Sequence, residues 1–187
     1  MKTIAVSAAQ MQKRIARYRD LKPLPIQNAS IPEKARDVVY ARKLLSVIGL
    51  ADAQTPINAG APIIGAGGMT MTLAVCPPGQ GPGLHAHRQT YETFTVLKGK
   101  FEVTWNDQGS ERAVLELLDT VSFPPGVCRA FRNIGDGEGI LQVIITGGVH
   151  DMNDIDFSED ARRKIEAVGP GLSGEFERAG FSFTAGK

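Results

Sequence analysis

The chain has 187 residues with 42% hydrophobic content, enough to bury one core with terminal additions and no second core. Twenty-one basic against 20 acidic residues give a formal charge of +1, and no Lys/Arg block is dense enough to form a nucleic-acid track. Two cysteines make no disulfide framework, which fits a reduced cytoplasmic protein, and the apolar run Ile4 to Ala9 is too short for a membrane span or a secretion signal.

Residues 1–60 read as a helical or irregular N-terminal extension. Arg14, Arg17 and Arg19, followed by Asp20, suit the solvated face of a helix over residues 7–20. Pro23 and Pro25 hold the next segment extended. Ser30-Ile31-Pro32-Glu33 then has the form of a capping box. The helix predicted to follow carries Val38, Val39, Ala41, Leu44, Leu45 and Ile48 as its apolar stripe and stops at Gly49.

From Met69 the period changes to two: Met69, Met71, Leu73 and Val75 alternate with Thr70, Thr72 and Ala74, as in a strand with one buried face. Residues 61–150 read as the β domain. Its hairpins turn at Lys98-Gly99-Lys100, Asn106 to Ser110, Pro124-Pro125-Gly126 and Gly135 to Gly139. The glycines sit between strands with no helix N-terminus to receive a phosphate, and no Gly-x-Ser-x-Gly elbow is present. Residues 151–187 read as a C-terminal extension with one short helix, capped by Ser158 and ended by Gly169-Pro170. Asp151, Asp154 and Asp156 read as its solvated leader, and His150 as a surface histidine.

The chemistry is concentrated between Gly79 and Gly99: Gly79, five residues, His85-x-His87, four residues, Glu92, six residues, Gly99. A strand repeat of two puts His85 and His87 on one face. Glu92 has the opposite parity, so Arg88-Gln89-Thr90 must hold a bulge or turn that resets the phase, after which Glu92, Phe94 and Val96 share a face. Two imidazoles and one carboxylate suit a divalent ion, Fe(II) first, with Mn(II), Ni(II), Co(II) or Zn(II) also compatible. Three ligands leave positions open for a small molecule.

This stretch resembles the first motif of the cupin superfamily. A weaker second motif matches at Asp119, Pro124, Pro125, Gly126 and Asn133, the resemblance covering about residues 69 to 147. It departs at two places: Leu118 stands where the family has glycine, and Arg129 stands where it has the fourth ligand, histidine. The resemblance implies an all-β fold, a single double-stranded β-barrel of the jelly-roll type with antiparallel strands, carrying the helical extensions outside it. It does not choose among dioxygenases, isomerases, epimerases, lyases and binding modules.

Arg129 decides between readings. A guanidinium has no lone pair for a metal. At about 5 Å from a divalent ion and an effective dielectric near 20, it would oppose binding by on the order of 6 to 7 kcal/mol. It can pair with Glu92 in a metal-free site, or reach past the ion to an anionic substrate group. The favoured expectation is a metal-binding, dioxygenase-like enzyme with His85, His87 and Glu92 as ligands. Arg129 and Tyr91 are its catalytic candidates, Phe94, Phe101 or Phe131 its apolar walls, and a small anionic or aromatic molecule its substrate. A metal-free binding module and a sugar isomerase or epimerase stay open, the last working by acid/base chemistry through a histidine with Tyr91 or Glu92. The expected partners are a small molecule and a second copy in a homodimer, with no nucleic acid and no membrane.

Overall fold

The structure is a computed structural model and describes residues 5–24, 30–50, 60–65, 67–147 and 152–186. Among the described residues, twelve strands are arranged in two six-stranded sheets. In chain order they are β1 (Lys43–Gly49), β2 (Ile63–Ile64), β3 (Met69–Cys76), β4 (His85–His87), β5 (Tyr91–Lys98), β6 (Phe101–Trp105), β7 (Glu111–Leu115), β8 (Thr120–Phe123), β9 (Arg129–Asn133), β10 (Gly139–Thr146), β11 (Ile155–Ser158) and β12 (Ser182–Ala185). The first sheet runs β2-β1-β3-β10-β5-β8 and the second β12-β11-β4-β9-β6-β7. Their apolar faces meet in one core, with Ala74, Phe94, Val96, Leu141 and Val143 from the first sheet and Phe101, Val103 and Phe131 from the second. Two sheets packed this way agree with a jelly roll.

The expected antiparallel pairing holds through the body of both sheets and fails at two edges. β1 pairs with β2, and β11 with β12, in parallel. Parallel neighbours need a long crossover. For β11 and β12 it is supplied by the helices α3 (Glu159–Val168) and α4 (Leu172–Arg178). Both the N-terminal and the C-terminal segments therefore contribute strands to the sheets. A second apolar cluster, including Ala35, Val39, Phe157, Ile165, Phe176 and Phe181, joins the helices to the end of the second sheet.

The long helix expected from Ser30 to Ile48 is replaced by two elements. α2 spans only Glu33–Val39, its N-cap is Pro32 with no side-chain hydrogen bond, and the chain turns extended at Tyr40. β1 follows and pairs with β3, Leu45 opposite Leu73. Leu44, Leu45, Val47 and Ile48 satisfy either period, and the free edge of β3 together with β-branched Val47 and Ile48 decides for strand. In place of a helix over residues 7–20 there is a short α1 (Ala8–Gln12), whose Ser7 and Gln10 form a capping box, and a 3-10 turn at Tyr18–Asp20. Ser158 does cap α3, accepting from the Ala161 N–H. The second helix, α4, had no counterpart in the sequence reading. Among the described residues no helix is long and apolar enough to cross a membrane.

Leu118, in the turn between β7 and β8, has φ +71°. Its N–H is tied to the Val96 carbonyl at 2.8 Å, so the turn holds a left-handed residue although its side chain is exposed. An L side chain there carries a conformational cost that glycine avoids, partly offset by the greater entropy of glycine in the unfolded chain. Leu118→Gly is expected to stabilise the fold by about 1 kcal/mol, raising the thermal midpoint by about 2–4 °C; an unchanged or lower midpoint would show that this turn is not strained.

Candidate metal centre

The phase of Glu92 is reset by a change of sheet. β4 belongs to the second sheet and β5 to the first, so Arg88-Gln89-Thr90 carries the chain across and Glu92 returns facing the histidines. Glu92, Phe94 and Val96 are buried on one face, as their shared parity requires. Glu92 Oε2 lies 3.5 Å from His85 Nε2 and 3.9 Å from His87 Nε2. One ligand atom from each of the three residues falls within 4.8 Å of the others, the size of a mononuclear metal site.

Hydrogen bonds fix both imidazoles. His85 Nδ1 lies 2.8 Å from the Gly83 carbonyl, which can only accept, so that nitrogen carries the hydrogen. The His85 ring also stacks on Phe157, centroids 5.0 Å apart, because β11 lays Phe157 opposite it. The Thr90 hydroxyl donates to Asp154 Oδ2 at 2.5 Å, leaving its oxygen to accept from His87 Nδ1 at 2.8 Å. Asp154 Oδ2 is itself 3.1 Å from His87 Nδ1. Both Nδ1 atoms are thus donors, and both Nε2 atoms are left to face Glu92. Imidazoles ordered by a carbonyl or carboxylate behind them are the usual arrangement of metal-binding histidines.

Burial disfavours the charged forms, and the surroundings answer it differently at each group. It holds His87 below its usual range, against the opposing pull of Glu92 and Asp154. Burial alone would raise Glu92, but the positive charge of Arg129 holds its carboxyl well below the usual carboxylate range. Asp154 is likewise lowered, to about 2, because donors from His87, Thr90 and the Gln89 backbone outweigh its desolvation.

Arg129 is fully buried, directly opposite His85 across the β4–β9 pair. Its Nε and Nη2 donate to Glu92 Oε2 at 2.9 and 2.7 Å, and Nη1 reaches the Val127 carbonyl at 3.4 Å. The guanidinium is committed to Glu92, and Arg129 is absent from the residues lining the adjoining cavity. Tyr91 is exposed and faces away from the interior, as the neighbour of Glu92 in a strand must, so it is not brought to the site. Of the three phenylalanines expected as walls, Phe131 lines the cavity, whereas Phe94 and Phe101 are packed into the core beneath. His150 and Asp151 lie outside the described residues.

The cavity beside the three ligands has a volume of about 80 Å³ and mostly apolar walls, among them Leu44, Ala74, Val143, Ile145 and Phe157, with Thr72 and Tyr40 as polar additions. Sequence reasoning missed Tyr40, Thr90 and Asp154. Asp154 and Asp156, expected to be a solvated leader, are buried instead: Asp154 holds the His87 side of the site, and Asp156 accepts from Arg88 at 2.8 Å and from the Thr184 hydroxyl at 2.6 Å. Two aspartates ahead of a helix cap look alike in sequence whether solvated or folded inward. Only the antiparallel pairing of β11 with β4 brings Asp154 to His87 and Asp156 to Arg88.

Residues 72–145 match the family model described as Cupin domain. No curated protein matches the sequence. Solved structures similar to the chain include the Cnp3 cupin domain of Schizosaccharomyces pombe, with 17% identity and a TM-score of 0.43 over 56% of this chain and 64% of that one. A putative sugar phosphate isomerase from Acidithiobacillus ferrooxidans has 25% identity and a TM-score of 0.39 over 42% and 50%. An uncharacterized double-stranded β-helix protein from Klebsiella pneumoniae has 21% identity and a TM-score of 0.42 over 46% and 69%. The chain spans less than two thirds of the length of the first two.

Proposed function

This chain belongs to the cupin superfamily, and from that premise we propose that it binds a divalent ion through His85, His87 and Glu92 and, beside the ion, a compact small molecule. The observation that carries this reading is the orientation of both histidines, whose Nδ1 atoms are engaged behind the rings and whose Nε2 atoms lie 3.5 and 3.9 Å from one carboxylate oxygen. Lone pairs opposed at that range repel unless a cation or a proton lies between them. A bound ion there would supply Lewis-acid or redox chemistry at an open coordination position. Fe(II) and a dioxygenase-like reaction are the finer form of the reading.

The cavity narrows the substrate. Its 80 Å³ is below the roughly 150 Å³ of an engineered apolar cavity that admits benzene, so a molecule of a few heavy atoms is favoured over an aromatic one. Apolar walls also weigh against a sugar phosphate, whose hydroxyls would go unpaired, and hence against the isomerase and epimerase readings. With its guanidinium held on Glu92, Arg129 positions that carboxylate rather than clamping an anionic substrate.

A second reading, a metal-free binding module, is supported by the same Arg129–Glu92 pair, which already neutralises the carboxylate. Metal retention separates the two. Protein loaded with Fe(II), Mn(II), Ni(II) or Zn(II) and then dialysed is expected to keep close to one equivalent of at least one ion, and the His85→Ala/His87→Ala variant to keep almost none. Retention below about a tenth of an equivalent for every ion would leave the module reading in its place.

A further inference from the structure

Tyr40 lies outside the family match, at the end of α2, yet it is among the residues that line the same cavity as His85, His87 and Glu92. It is 5% exposed, and its hydroxyl has no hydrogen-bond partner among the described residues. The residue is held from several sides. Its carbonyl accepts from Gln80 Nε2 at 2.7 Å, and its ring packs edge-on against Phe181, centroids 5.8 Å apart, and against Phe176 at 6.2 Å. Phe181 is also a wall of the cavity.

A buried hydroxyl with no partner is costly, and phenylalanine would fill the same ring position without that cost. We infer that the Tyr40 hydroxyl is a hydrogen-bond donor to the molecule that occupies this cavity. Burial pushes its pKa above the ordinary phenol range, so it donates as the neutral phenol and does not serve as a base. The ligand class follows from the walls: a compact molecule of a few heavy atoms, apolar over most of its surface, with one oxygen acceptor such as a carbonyl directed at Tyr40. The inference rests on reading the cavity as a ligand site and is independent of the ion.

The test compares wild type with Tyr40→Phe, both stripped with EDTA, by NMR titration with acetone as the probe and by thermal melting without it. The wild type is expected to bind acetone saturably at the cavity residues, and Tyr40→Phe to bind it about three- to tenfold more weakly, the range of one neutral hydrogen bond. In the absence of probe the variant is expected to melt about 2–4 °C higher, because the unpartnered hydroxyl is gone. Equal affinity in the two proteins, or an unchanged or lower melting temperature, overturns the role of Tyr40 and leaves the cavity reading standing. No saturable binding to either protein overturns both. The metal-retention result is unaffected by either outcome.

Discussion

Arg129→Met is expected to lower the unfolding free energy by about 3–5 kcal/mol. Glu92 is buried, and its Oε2 accepts two hydrogen bonds from this one side chain. Removing the guanidinium leaves a carboxylate in an apolar interior with only the histidines nearby, the situation in which breaking a buried pair costs most. For a chain of this length the loss corresponds to a fall in thermal midpoint of about 6–20 °C. The double variant Glu92→Leu/Arg129→Met removes both charges, and is expected to lie within about 1–2 kcal/mol of wild type, since a well-packed apolar replacement avoids the desolvation of either ion. Denaturant unfolding of the two single variants and the double variant isolates the coupling between the residues. A loss below about 1 kcal/mol in Arg129→Met would mean that Glu92 is not held as described.

The same pair sets a pH dependence whose sign can be worked out. In the wild type the folded carboxyl of Glu92 is depressed, so its contribution is fully present above the ordinary carboxylate range and is lost as pH falls below about 4.5. In Arg129→Met the guanidinium no longer offsets burial, so the balance shifts toward the protonated form. The deficit of the variant should therefore be largest near neutral pH and shrink on acidification. A deficit that grew as pH fell would contradict the assignment of its cause to Glu92.

His85, His87 and Glu92 were legible because they are close in sequence and the strand period alone limits where their side chains can point. The phase reset at Arg88-Gln89-Thr90 could be inferred, but not that it carries the chain from one sheet to the other, since a bulge and a crossover need the same parity. Arg129 was visible only through its place in the weaker second motif, and its choice of Glu92 over an anionic substrate depends on how closely β9 lies against β4, which has no local signal. Tyr40 and Asp154 were hidden for a related reason. They stand 45 residues before His85 and 67 after His87 by residue number, and each belongs to a segment whose composition suits ordinary helix boundaries. The segment after α2 was misread because Leu44, Leu45, Val47 and Ile48 fit both periods, and the available edge of β3 is a tertiary fact.

Arg129→His separates the ion from the guanidinium. In the wild type an ion on His85, His87 and Glu92 shares the carboxylate with a permanent cation that has no lone pair to offer. The substitution removes that cation and places an imidazole opposite His85 on β9. Two effects should follow with opposite signs. Without metal the variant is expected to be less stable than wild type by at least about 2 kcal/mol, because neutral imidazole replaces the charge that offsets Glu92. With Ni(II) or Zn(II) its affinity is expected to exceed that of wild type by at least about a hundredfold, or about 2.8 kcal/mol, through the lost repulsion and the added ligand. At an ion concentration well above both dissociation constants, the metal-induced rise in thermal midpoint should be larger in the variant by about 5–11 °C. Titration calorimetry gives the affinities and melting gives the coupled stability. Adding His87→Ala to Arg129→His should remove the gain, since an ion held at this centre needs the imidazole that Thr90 and Asp154 keep in place. A variant that binds metal no better than wild type would show that the guanidinium is not what limits the ion, and the repulsion argument would fail at its first step.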